Sequence, residues 1–141
     1  PRYFWNSSAR PDRRYEARIT ASDRKSNVPG ETLESTAVTD PFTIDNTKPR
    51  IQALTAKRVN SEAEIAWTAI DERSPVRKAY YSVNGQEWIR VEPLSGLSDA
   101  ASLQYALRLP EATAAPGSVV AVRVLDEFEN EAVASIAVPA R

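Results

Sequence analysis

The chain has 141 residues, 42 % hydrophobic and 26 % charged, an ordinary globular balance that allows one domain or one and a fraction. Its 18 Lys and Arg offset 19 Asp and Glu to a net charge of −1 with both signs mixed, so no field gathers phosphates or anionic lipid, and nucleic acid is not an expected partner. Histidine and cysteine are both absent, which removes a Ser-His-Asp triad, a thiolate nucleophile, a zinc centre and a haem ligand from what this chain alone can build. Any catalysis would run on carboxylates, Lys, Tyr or Ser. No apolar run approaches the ~20 residues of a membrane helix, and a cysteine-free chain fits either redox compartment.

Ten prolines and four glycines, with β-branched and aromatic runs spaced by roughly 8–12 residues, predict an antiparallel all-β sandwich without helices. After a Pro11-Asp12 turn, Tyr15, Ala17, Ile19 and Ala21 alternate along one strand face, leaving Arg14, Glu16, Arg18 and Thr20 to water. A turn from Asp23 to Asn27 follows, and residues 36–45 return as the partner strand. Asp45-Asn46-Thr47-Lys48-Pro49 then punctuates the chain, because Asp and Asn bond their own backbone and Pro cannot continue a ladder. The boundary is placed there, giving residues 1–47 and 48–141.

The second part reads as about seven strands, the number in a small sandwich. Residues 51–57 form the first and residues 63–69 the second, with Ile65 and Trp67 on one face. Ala79-Tyr80-Tyr81-Ser82-Val83 and Gln86-Glu87-Trp88-Ile89 flank Asn84-Gly85, which predicts a type I′ two-residue hairpin with Tyr81 opposite Trp88. Residues 93–99 read as a loop. Leu103, Tyr105, Leu107 and Leu109 alternate inward, Pro116-Gly117 turns the chain, and Val120, Val122 and Val124 make the central strand. A second hairpin over Asp126-Glu127-Phe128-Glu129-Asn130 leads to the closing strand, residues 132–138.

The two Asp-x-x-x-Asn turns, Asp23 with Asn27 and Asp126 with Asn130, are offset by the same 103 residues. That is close to the ~100 residues of one sandwich. The chain therefore reads as the end of one unit followed by a whole second one. With its abrupt start at Pro1-Arg2-Tyr3-Phe4-Trp5 and no basic-then-apolar leader, it also reads as a fragment of a longer polypeptide.

These residues resemble the fibronectin type III and bacterial immunoglobulin-like sandwiches. Residues 11–18 look like a tyrosine corner, in which Tyr15 bonds back to backbone just upstream. Trp67 on the second strand, with Tyr81 and Val83 on the third, is similar to the fibronectin type III core. More narrowly, the Tyr81-to-Trp88 hairpin, the Pro93-to-Asp99 loop and Pro116-Gly117 resemble modules at the C-terminal ends of secreted bacterial proteins, often behind β-propellers. Ser118 stands where the first unit has Tyr15, so the second unit departs from the pattern by lacking the corner. The resemblance implies a non-catalytic spacer or docking module of a larger exported bacterial protein, extracellular or periplasmic, with no cofactor. Its partners would be other domains of the same polypeptide or another protein. The residues expected to matter most are structural: Trp67, Tyr81, Trp88, Val122 and Tyr15.

Site chemistry has few candidates. Asp126, Glu127 and Asn130 with the adjacent Glu129, Asp23 and Asn27 of the first turn, Asp45 of the boundary and the Asp71-Glu72 pair are oxygen ligands of the kind calcium takes, set against hairpin turns that use Asp and Asn for their own amides. Tyr80, Trp88, Trp5 and Phe4 would serve a sugar-binding platform, the mark of the alternative reading as a carbohydrate-binding accessory module of a secreted hydrolase. The leading reading expects those rings to be buried. The acid pairs Asp71/Glu72 and Glu127/Glu129 lack the cleft a glycosidase needs. Residues 1–47 carry an apolar face without strands to cover it, which predicts a complementing chain or packing on the second unit.

Overall fold

Alternation of apolar and polar residues produces strands throughout the computed structural model, which describes residues 2–140, all-β and antiparallel. The chain divides into two compact units, Pro1–Asn46 and Thr47–Arg141.

The first unit is a long, irregular hairpin. β1 (Arg13–Tyr15) pairs with β4 (Phe42–Ile44), and β2 (Arg18–Ser22) pairs with β3 (Glu34–Val38). The single return strand expected over residues 36–45 is thus two strands. They are separated where the Thr39 side chain accepts the Ala17 N–H (3.0 Å) and the Thr39 N–H returns to the Ala17 carbonyl (2.9 Å). Pro41 follows, and having no N–H it cannot extend the ladder. The Tyr15 hydroxyl donates to the Pro11 carbonyl at 2.9 Å, while its ring stacks on Phe42 and meets Trp5 edge-on.

The second unit holds seven strands: β5 (Arg50–Val59), β6 (Glu62–Ile70), β7 (Val76–Val83), β8 (Ile89–Val91), β9 (Ser102–Pro110), β10 (Val119–Asp126) and β11 (Glu131–Ala137). They form a three-stranded sheet in the order β5-β6-β9 and a four-stranded sheet in the order β11-β10-β7-β8. The two sheets share one core. Ile65, Trp67, Leu103, Tyr105 and Leu109 come from the first, and Val76, Ala79, Val83, Val120, Val122 and Val124 from the second. Trp67 and Tyr105 are directly opposite each other on β6 and β9, and their rings stack at 5.0 Å with planes 7° apart. Burial pushes the Tyr105 phenol up to about 12, against an opposing contribution from Ser98. On the outer side of the same sheet Lys57, Glu64 and Arg108 stand in register, with Glu64 bridging both cations at 2.8 Å. The hydrogen bond from Lys57, reinforced by both positive charges, holds the Glu64 carboxyl below its ordinary value.

Asn84-Gly85 makes the turn its sequence implies. Both residues have positive φ, 52° and 73°, and the Gln86 N–H donates to the Val83 carbonyl at 3.0 Å. The strand register beyond it differs from the expected one. Tyr81 is opposite Ile89, not Trp88. The cause is the Ser82 hydroxyl, which donates to the Gln86 carbonyl at 2.7 Å and holds residues 86–88 out of the ladder. Pairing resumes one residue later, and Trp88 is turned toward Arg123.

Trp67 stacks on Tyr105 within the buried cluster that also holds the β10 valines, where close packing leaves no neighbour free to fill its volume. Trp67→Ala is expected to cost about 3–5 kcal/mol and to leave the second unit unfolded or nearly so. Urea denaturation followed by circular dichroism checks this; a loss below 1 kcal/mol would contradict the placement of Trp67 in the core.

Candidate functional site

The carboxylates singled out in the sequence are held by the fold's own partners. Asp126 ends β10 fully buried. Its Oδ1 accepts the Phe128 and Asn130 N–H groups at 2.7 and 2.9 Å, and its Oδ2 accepts the Asn130 side-chain amide at 2.8 Å. The turn closes through the Asp126 N–H and the Asn130 carbonyl (3.1 Å), with Glu129 at φ 64°. Asp is chosen here because a short carboxylate satisfies three donors that a tight turn would otherwise leave unpaired. Glu127 and Glu129 pair with Arg77 (3.0 Å) and Lys78 (2.5 Å) of β7. The contact with Glu129 raises the Lys78 ammonium above its ordinary value.

Asp45 belongs to the first unit, buried directly after β4. Asn46 beside it fastens the start of that unit: its N–H donates to Asp12, and its side-chain amide donates to the Ser7 and Arg10 carbonyls at 3.1 and 3.0 Å. Asp71 in the β6–β7 loop is buried and accepts the Arg73 and Ser74 N–H groups through Oδ1, while Glu72 pairs with Arg50 at 2.6 Å. Among the described residues no three His, Cys, Asp or Glu side chains are grouped to hold a metal ion.

The turn of the first unit departs from the second in one instructive respect. Asp23 does cap its turn, accepting the Leu33 N–H at 2.8 Å and donating its own N–H to the Leu33 carbonyl (3.3 Å). The role of Asn130 therefore falls to Leu33. Asn27 lies inside a loop six residues longer and does not close the ladder. The spacing of Asp23 and Asn27 matched the second turn without sharing its geometry.

The four aromatic residues considered as a sugar platform separate into two places. In the second unit Arg123, an outward position of β10 directly across from Tyr80, has its guanidinium 4.9 Å from the Tyr80 ring and 4.7 Å from the Trp88 ring. Two faces that a sugar ring would stack on instead clamp a cation, an arrangement worth about 0.5–2 kcal/mol per ring. Both rings are half-buried, not enclosed in the core as the leading reading expected. In the first unit Phe4 is 86 % exposed, and Trp5 lies on Tyr15 with the Arg10 guanidinium over its ring. Sequence reasoning missed Arg123; its outward parity on β10 was available, but the cross-strand partner depends on the β7 register.

The first unit has an open groove of about 590 Å³ lined by Tyr3, Trp5, Tyr15, Ala17, Ile19 and Phe42 together with the charged side chains of Arg10, Glu16 and Arg18. Ile19, one of its lining residues, is 68 % exposed.

No protein-family model, curated protein or solved structure matches this chain.

Because the Asp126 carboxylate is saturated by turn amides, calcium is expected to leave the melting temperature unchanged relative to chelator. Asp126→Ala should destabilise the second unit by about 3 kcal/mol, through unsatisfied buried donors. Thermal unfolding of both proteins with and without calcium reads both outcomes. A calcium-dependent rise lost in the variant would establish a metal site in place of a structural turn.

Proposed function

We propose that the chain is a non-catalytic, fibronectin type III-like spacer and docking region of a larger exported bacterial protein. The three-plus-four strand division supports the family: the fourth strand of the second unit, β8, lies beside β7 in the sheet of β10 and β11, where an immunoglobulin constant-type sandwich would place it with the counterparts of β5, β6 and β9. The Tyr15-to-Pro11 hydrogen bond supports the same family for the first unit. Export and bacterial origin rest on the resemblance of the Tyr81-to-Trp88, Pro93-to-Asp99 and Pro116-Gly117 segments.

The observation that carries the non-catalytic reading is the commitment of the candidate side chains to structural work. Asp126 serves its turn, Glu127, Glu129 and Glu72 face Arg or Lys, and Tyr80 and Trp88 enclose Arg123. A general acid or nucleophile needs a group poised toward a cleft. A sugar site needs a free ring face. The same observation weighs against a carbohydrate platform on Tyr80 and Trp88, which would have to expel Arg123 first.

On a glycan array the chain is expected to give no signal above that of an unrelated sandwich domain. Saturable binding abolished by Tyr80→Ala or Trp88→Ala would replace this reading with the carbohydrate-binding one.

A further inference from the structure

The first hairpin has an internal reference in the same chain. Asp23 and Asp126 occupy the same place in their turns, and the 103-residue offset between them carries Ala17, Ile19 and Ala21 onto Val120, Val122 and Val124. The return strands agree as well. Ile19 is paired with Ala37 as Val122 is paired with Ala134. In the second unit those three valines have no exposure at all, because β5, β6 and β9 lie over them and β7 lies beside them. In the first unit Ile19 is 68 % exposed, and among the described residues β2 pairs with β3 alone. An apolar face beside an open strand edge is a strong driver of association.

Tyr3, Phe4 and Trp5 precede the hairpin as irregular chain. Tyr3 and Trp5 already line the groove over Tyr15 and Ile19. We infer that the hairpin is the closing strand pair of a second sandwich, and that its bare face of Ala17, Ile19 and Ala21 is covered by a five-strand element, the counterpart of β5–β9, in the same polypeptide. This rests on the fibronectin type III-like reading and adds the occupant of that face. The occupant's inner face has a stated chemistry. Ala17, Ile19 and Ala21 are together smaller than three valines, so the covering strands must carry side chains larger than those of β6 and β9 to reach interior packing density. A second copy of this chain is a poor occupant for the same reason. Its β5-β6-β9 sheet is filled by β10, and exchanging the valines for this smaller set would leave cavities in a formed core.

The chain has no cysteine, so single thiols report cover directly. Ala21→Cys and Ile19→Cys mark the apolar face, and Val38→Cys, opposite Arg18 and 56 % exposed, marks the other face. Alkylation by iodoacetamide is measured in the 141-residue chain and in the full-length protein from its natural source. The inference expects Ala21→Cys and Ile19→Cys to react at least about 100-fold more slowly in the full-length protein than in the 141-residue chain, as buried positions that open only by local unfolding do. Val38→Cys should react quickly in both, and the small Ala21→Cys change guards against loss of folding at Ile19. Equal, fast labelling of the apolar face in both proteins would overturn the inference. So would slow labelling in the 141-residue chain with a doubled mass by light scattering, which would make a second copy the occupant. Neither result bears on the glycan array, so the two readings fail separately.

Discussion

Val120, Val122 and Val124 of the four-stranded sheet share one buried core with the stacked rings of Trp67 and Tyr105, and the rest of the second unit is arranged around that core. Two sheets must approach to about 10 Å for such side chains to interdigitate. The hairpin turns make the approach possible. Asp126 ends the valine strand on a carboxylate that needs nothing from solvent, and Asn84 accepts the Val119 N–H at its other end (2.8 Å), so both ends of β10 are fixed by side chains. Burying the three valines and the two rings is the dominant favourable term, since surface pairs such as Lys57–Glu64–Arg108 contribute only tenths of a kcal/mol to about one.

The first unit shows the same device without its cover. It has a capped turn, a two-stranded ladder, a tyrosine tied to its own upstream backbone, and an apolar face of matching parity. A two-stranded hairpin alone is marginal in water at best. The Tyr15, Phe42 and Trp5 cluster and the Asn46 clamp on residues 7–12 hold local structure near the ends of the strands, while β2 and β3 are exposed along their whole length. The proposed docking role follows from this contrast between a covered and an uncovered face, with Asp126, Glu127 and Glu129 engaged in a turn and in ion pairs.

Much of this architecture was legible before the structure. Period-two alternation placed Leu103, Tyr105, Leu107 and Leu109 and the three valines on inner faces, and Asn-Gly specified its turn, because both signals are local. Register was not legible. Whether Tyr81 meets Trp88 or Ile89 depends on one hydroxyl, Ser82 on Gln86, which no pattern of hydrophobicity encodes. The equivalence of Asn27 and Asn130 was a coincidence of spacing, since only ladder pairing reveals that Leu33 closes the first turn. The Arg123 clamp was hidden for a related reason: the outward parity of a residue can be read from sequence, but its neighbour two strands away follows from register.

Native-state amide hydrogen exchange of the 141-residue chain tests the central claim most directly, because it compares two strands of equivalent position and different cover. The account predicts that the amides of Val122 and Val124 exchange only through global unfolding of the second unit, while those of Ile19 and Ala21 exchange with little protection. Comparable protection in the two strands would contradict it, since sandwich closure would then not be what distinguishes them.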